Sequence, residues 1–247
     1  MSDAPPLLAV SGLGKRFGGF VALDGIDLTL RPGERLGLIG PNGSGKSTFV
    51  NCLAGVLRNE AGRVEFAGHQ LDGLPAHRRT RLGLVRTFQL PRPFFSLSVA
   101  DNLRVPLLYA RPAETGASQS ETAIAERCTA ILQLVGLAEQ AEWWPRDLTQ
   151  IDMRKLELAR AMAAEPKLLI ADEAMAGLSH SEVDEILELL FRLNKRGMTI
   201  ILIEHIMRAV MGFSQRLAVF VAGRKIADGE PAEVMRNPEV ERAYLGE

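Results

Sequence analysis

The chain has 247 residues, enough for one large α/β domain or two small ones. Its net charge of −1 provides no general attraction to nucleic acid or anionic lipid. No stretch approaches the roughly 20 consecutive apolar residues of a membrane-spanning helix.

Two cysteines, Cys52 and Cys128, show neither metal-ligand nor redox spacing, the usage expected in a reducing cytosol. The first six residues lack the basic and apolar regions of a signal peptide, so any work at a membrane requires something else to hold the chain there.

In chain order, residues 7–10 and 26–30 predict short strands around a turn-rich middle. Ile26-Asp27-Leu28-Thr29-Leu30 alternates with period two, the pattern of a half-buried antiparallel strand. In the middle, Phe17 lies beside Gly18 and Gly19, and it either stacks on a nucleotide base or packs in the core. Residues 31–34 make a turn and 35–39 a strand. Residues 40–48 then read G-P-N-G-S-G-K-S-T, before a helix-compatible run over 49–54 with Cys52 on its apolar face.

Between a strand and a helix, G-x-x-x-x-G-K-[ST] is a phosphate-binding loop. The segment Gly40, Pro41, Asn42, Gly43, Ser44, Gly45, Lys46, Ser47, Thr48 supplies backbone N–H groups and a helix N-terminus to phosphate oxygens. Lys46 can reach the β- and γ-phosphates, and Ser47 can offer its hydroxyl to Mg²⁺.

Residues 63–66 predict an edge strand. His77, Arg78, Arg79 and Arg81 read as a solvated helix face rather than a nucleic-acid patch, because the run is short and the chain nearly neutral. Residues 82–88 predict an apolar strand ending in Gln89, an amide that coordinates Mg²⁺, orients a water or is a plain loop residue. Pro91 and Pro93 bar a helix or central strand, and Phe94 and Phe95 either fold inward or form a docking patch.

From residue 96 to 164 the pattern is helical. Ser98 caps one helix, residues 111–120 are a polar loop, 122–134 an amphipathic helix ended by Gly136, and Thr149 caps a helix over 151–164. Trp143 and Trp144 are expected to pack between the helical and sheet parts.

Residues 167–171 predict a buried strand ending in Asp172-Glu173. Asp172 can hold Mg²⁺ through water, and Glu173 can polarise an attacking water. A helix over 182–193 and a strand over 199–203 lead to Glu204-His205. His205 stands at a strand C-terminus, where α/β sheets bind ligands, and can bond a γ-phosphate. A hairpin around Ala222-Gly223 and a helical tail over 231–245 close the chain.

These residues, in this order, resemble the ATP-binding cassette (ABC) ATPases along essentially the whole chain. The resemblance implies an α/β fold: a P-loop NTPase core with an antiparallel β subdomain and an inserted α-helical subdomain. Within a single ABC ATPase domain over 1–247, the core and β subdomain take 8–95 and 165–230, the helical subdomain 96–164 and a C-terminal tail 231–247. It further implies ATP and Mg²⁺ as ligands, Phe17 as the base-stacking ring, Gln89 as the Q-loop glutamine, Glu173 as the catalytic glutamate and His205 as the switch histidine. Ser47, Gln89 and Asp172 would serve the metal.

The stretches K-R-F-G-G-F-V-A-L-D, L-G-L-V-R-T-F-Q-L-P-R-P-F and N-P-E-V-E-R-A-Y-L-G resemble the branched-chain amino-acid uptake subgroup. By that resemblance two ATPase subunits, identical or different, sit on the cytoplasmic face of the inner membrane as peripheral proteins. They bind two integral membrane permeases, with Phe94 and Phe95 near the docking groove, and an external solute-binding protein delivers the solute. No nucleic acid is involved.

One motif departs. Where the family has L-S-G-G-Q facing the other subunit's γ-phosphate, this chain has Leu148-Thr149-Gln150-Ile151-Asp152. Thr149 keeps a hydroxyl, but Gln150 and Ile151 fill both glycine positions. A glycine-only dihedral there would be strained, so the helix is expected to keep its place and the trans contact to be weakened or rearranged.

Competing readings are a nucleic-acid-associated cassette ATPase, an impaired and mainly ATP-binding partner subunit, and a lipopolysaccharide-export type ATPase. The first of these usually carries a coiled coil, zinc cysteines or tandem cassettes, which this sequence lacks.

Overall fold

The computed structural model describes residues 5–88, 90–110 and 120–245. Gln89 and residues 111–119 of the expected polar loop lie outside that range.

The chain opens with β1 (Leu8–Phe17) and β2 (Phe20–Leu30), then β3 (Arg35–Ile39) and helix α1 (Lys46–Ala54). Next come β4 (Ala61–Phe66), β5 (His69–Gln70), α2 (Ala76–Arg81) and β6 (Leu84–Arg86). Three helices follow, α3 (Val99–Tyr109), α4 (Glu121–Val135) and α5 (Gln150–Ala163). The remainder is β7 (Leu168–Asp172), α6 (His180–Lys195), β8 (Thr199–Ile203), α7 (Met207–Phe213), β9 (Arg216–Val221), β10 (Arg224–Gly229), α8 (Pro231–Val234) and α9 (Pro238–Leu245).

Two sheets result. One is antiparallel, in the order β2-β1-β4-β5. The other runs β10-β9-β3-β8-β7-β6 and is parallel except for β10. Strands β7 and β8 are buried at every position, which is why both read as unbroken apolar runs. The strands expected at 7–10 and 26–30 are longer, because β1 and β2 continue through the supposedly turn-rich middle and turn only at Gly18-Gly19. Strand β6, by contrast, is three residues of the seven expected.

The apolar core divides in keeping with this layering. One cluster joins the two sheets across α1, where the rings of Phe49 and Phe220 meet edge-on at 5.1 Å. A second lies between the parallel sheet and helices α3 to α6.

The caps follow local chemistry. Ser98, Ser120 and Thr149 accept the N–H of Asp101, Ala123 and Asp152 respectively. Ser179 and Glu182 form a capping box that starts α6 earlier than its apolar face suggests.

Two expectations are corrected. The basic run is not uniformly solvated: Arg79 is 3% exposed and donates to the carbonyls of Cys52, Leu53 and Leu74 at 2.6, 2.9 and 2.9 Å. It thereby satisfies carbonyls that α1 leaves open at its C-terminal end. Trp143 and Trp144 are 48% and 41% exposed, so they do not pack between the subdomains; Trp144 instead carries the Arg146 guanidinium over its ring.

Replacing Arg79 by methionine keeps the apolar stem and strands those carbonyls. The variant should lose about 2–4 kcal/mol of stability, read as a lowered urea midpoint at constant slope.

Candidate functional site

The phosphate loop turns at the C-terminal end of β3 and opens α1. Its path is set by close backbone approach. A Cβ on Gly40 would lie 2.1 Å from the Phe220 carbonyl oxygen, and one on Gly45 would lie 2.7 Å from the Ala22 carbonyl oxygen. Gly45 also takes φ +102° as the residue before α1. The turn of the β9–β10 hairpin braces the loop, with the Gly223 N–H donating to Ser44 O at 3.0 Å. The same turn accepts the Asp24 N–H of β2 on the Gly223 carbonyl at 2.9 Å.

The loop lines an open cleft of 230 Å³ together with Phe17, Phe20, Ala22, Glu173 and His205. Phe17 and Phe20 are 48% and 63% exposed, so neither is a core ring. Phe20 and Ala22 lie in the stretch K-R-F-G-G-F-V-A-L-D, but nothing in it singles them out as site residues; they reach the cleft through the β1–β2 turn. A larger cavity of 730 Å³ elsewhere contains none of the loop residues. Chemistry, not volume, marks the site.

Lys46 is 7% exposed and its ammonium is turned inward, donating to the carbonyls of Gly40 at 2.6 Å and Pro41 at 3.0 Å. Burial pulls it below its ordinary pKa, partly opposed by the charges of Glu173 and Asp172.

Glu173 follows β7 and His205 follows β8, so both stand at the C-terminal edge of the sheet near the loop. His205 Nε2 and Glu173 Oε1 are 3.1 Å apart. Glu173 has φ +49°, a left-handed conformation that costs a non-glycine residue about 1–3 kcal/mol. Its N–H is tied to the Ile203 carbonyl at 2.9 Å, which helps hold that backbone in place.

Asp172 is buried at 5% exposure and bound by Arg86. The hydroxyl of Ser47 and the carboxylate of Asp172 are hard oxygen donors of the kind Mg²⁺ takes alongside nucleotide phosphates. The donor set therefore fits that ion. Gln89, the third expected metal residue, lies outside the described residues.

The signature-like segment keeps the helix placement expected of it. Thr149 caps α5, and Gln150 and Ile151 are its first helical residues. Neither has a positive φ, so no glycine-only dihedral is required there. Ile151 is 9% exposed and its side chain joins the core rather than covering the helix tip. Gln150 lies against Gly177, where an added Cβ would come within 2.6 Å of its amide nitrogen. None of the three lines the loop's own cleft.

Two buried carboxylates support the site from behind. Glu204 accepts the Met175 N–H at 2.8 Å and so holds the segment after Glu173. Glu157 on α5 accepts the N–H of Phe88 at 2.6 Å and of Arg92 at 3.2 Å. Burial pushes both carboxyls upward in pKa. Beside Glu157, a groove of 400 Å³ is lined by Phe88, Phe94, Val105, Pro106, Tyr109 and Arg160 among others. Phe94 and Phe95 are 40% and 60% exposed, and Arg160 stacks on the Phe94 ring at 4.8 Å.

A phosphate cradle at one strand end, with a histidine and an acid at the ends of the next two strands, is the geometry of a P-loop nucleotide hydrolase. The ABC transporter family matches residues 23–176, and the branched-chain amino acid ATP-binding cassette transporter family matches 224–247. The chain is 41% identical to the high-affinity branched-chain amino acid transport ATP-binding protein LivG of Salmonella typhimurium, over 98% of each chain. It is 37% identical to the corresponding BraF protein of Pseudomonas aeruginosa, also over 98% of each. Among solved structures, a nucleotide-free ATP-binding cassette from an ABC transporter superposes with a TM-score of 0.88 at 29% identity, covering 98% of this chain and 100% of that one. The chain belongs to the ABC transporter ATP-binding family, with the C-terminal segment of its branched-chain amino acid class. Among the described residues no helix is long and apolar enough to cross a membrane.

Glu204 provides a signed test. Its folded pKa is raised above the ordinary 4.5, so the folded state binds more protons and stability falls as pH rises through that window. Glutamine keeps an acceptor for Met175 without the charge. Glu204→Gln should therefore gain stability over the parent as pH rises above the ordinary carboxylate range, seen as a widening gap in melting temperature.

Proposed function

We propose that the chain is the ATP-hydrolysing subunit of an importer for branched-chain amino acids or a related amino acid or amide. The observation that carries this reading is the single cleft that gathers the phosphate loop, Glu173 and His205. The full-length likeness to LivG and BraF supports the solute class.

In this reading Phe17 stacks on the base while the loop residues 40–48 bind the phosphates. Lys46, which donates to the carbonyls of Gly40 and Pro41, exchanges them for phosphate oxygens. Ser47 and Asp172, with Gln89, would hold Mg²⁺, which when bound with ATP offsets charge on the β- and γ-phosphates. His205 leaves Glu173 to bond the γ-phosphate, and Glu173 then polarises the attacking water.

A second ATPase subunit supplies Thr149, Gln150 and Ile151 across a head-to-tail interface. With the Ile151 side chain turned inward, the N-terminal N–H groups of α5 remain the contacting surface. The core and β subdomain (8–95 and 165–230), helical subdomain (96–164) and tail (231–247) act as the units of closure. The apolar groove beside Phe94 receives a permease at the cytoplasmic face of the inner membrane. A solute-binding protein acts through the permeases.

Glu173→Gln should bind ATP as the parent does, lose at least about 100-fold in turnover, and accumulate as an ATP-bound dimer in size-exclusion chromatography. Turnover at the parent rate would remove Glu173 from the base role.

Ile151→Gly in the reconstituted transporter distinguishes the impaired-subunit reading. It should lower the melting temperature, because it empties a core position, and leave ATPase activity no higher than the parent's. A gain in turnover would instead mean that Ile151 limits the trans contact.

A further inference from the structure

Arg86 has no part in the phosphate-loop motif, yet it joins two elements that the metal site depends on. It sits at the end of β6, in register with Ile170 of β7. Its guanidinium donates twice to one oxygen of Asp172, from Nη2 at 2.5 Å and Nε at 3.2 Å. The remaining nitrogen Nη1 donates to Asn51 Oδ1 at 2.6 Å. The Arg86 and Asp172 side chains are 14% and 7% exposed, so the contact is shielded from solvent.

Asn51 lies on α1 four residues after Ser47, hence one turn along the same helix face. A carboxylate is loosely set about its last torsion, and two hydrogen bonds on one oxygen remove that freedom. A planar guanidinium can grip a carboxylate and an amide oxygen at once, whereas an ammonium is a point donor.

We infer that Arg86 is a positioning residue for Mg²⁺: it clips the Asp172 carboxylate to α1 through Asn51 and thereby fixes that carboxylate relative to the Ser47 hydroxyl. This rests on the reading of Ser47 and Asp172 as the metal's protein donors. The guanidinium sets geometry at some electrostatic cost, since it brings a positive charge toward a cation site. Groups that orient metal ligands commonly alter metal affinity by 10–100-fold.

The test uses the full chain with the nonhydrolysable analogue AMP-PNP. Mn²⁺ replaces Mg²⁺, with its affinity and line shape read by electron paramagnetic resonance. Arg86→Ala and Asn51→Ala should each weaken Mn²⁺ binding to the nucleotide complex by about 10-fold or more and broaden the spectrum. Nucleotide affinity in EDTA should stay at the parent value, and Arg86→Lys should recover only part of the loss.

Unchanged or tighter Mn²⁺ binding in either alanine variant overturns the inference, the tighter case meaning that the guanidinium competes with the metal. An equal loss of metal-free nucleotide affinity overturns it too, by showing a general structural role. If Arg86→Ala does not fold, Asn51→Ala decides alone, because it breaks only the α1 end of the clip. Asp172→Asn separates the two levels. If it leaves Mn²⁺ affinity intact, the metal-site reading itself fails; if it weakens Mn²⁺ while Arg86→Ala does not, only the clip fails.

Discussion

The structure depends on backbone pressed against backbone. The phosphate loop runs so close to the Phe220 and Ala22 carbonyls that Gly40 and Gly45 have no room for a side chain. That contact, with the Gly223 hydrogen bond to Ser44, fixes where the loop's N–H groups point and where α1 begins. The Lys46 ammonium then finds its partners in the loop's own carbonyls. A buried cation is costly without such partners.

Around that cradle, charge is placed at strand ends and each charge is answered. Arg86 binds Asp172, His205 meets Glu173, Glu204 takes the Met175 N–H, and Glu157 takes two N–H groups of the segment leading to Phe94. Apart from Glu157, which α5 holds, these groups are carried to a single edge of the sheet by its parallel strands. The apolar clusters on either side keep the strands in register, so the site has rigid support rather than a loop scaffold.

The sequence showed the loop, the acidic pair and His205 because each follows an apolar run whose end is unmistakable. Strands β7 and β8 and the caps at Ser98 and Thr149 were legible for the same local reasons. What escaped was set by distant partners. Arg79 looks like one basic residue among several until α1 turns out to end beside it. Ile151 looks like an obstruction at a glycine position until the helix rotates it into the core. Arg86 and Asn51, thirty-five residues apart, meet only because β6 borders β7 beneath α1. Trp143 and Trp144 show the opposite error: bulk suggested packing, and both rings lie at the surface.

Strand β3, which delivers the chain to the phosphate loop, takes both of its neighbours in the sheet from the second half of the chain. Its partners are β8 and β9, and the turn that braces the loop comes at Gly223. Pairings this distant in sequence form late. At synthesis rates of about 5–20 residues per second, the segment from the loop to that turn takes roughly 9–35 seconds to emerge from a ribosome. Through that interval the nascent chain carries every residue of its ATP-binding motif without the frame that makes it a binding site. Nucleotide can therefore reward folding only once the β9–β10 turn has emerged, and until then β3 is an unpaired strand edge.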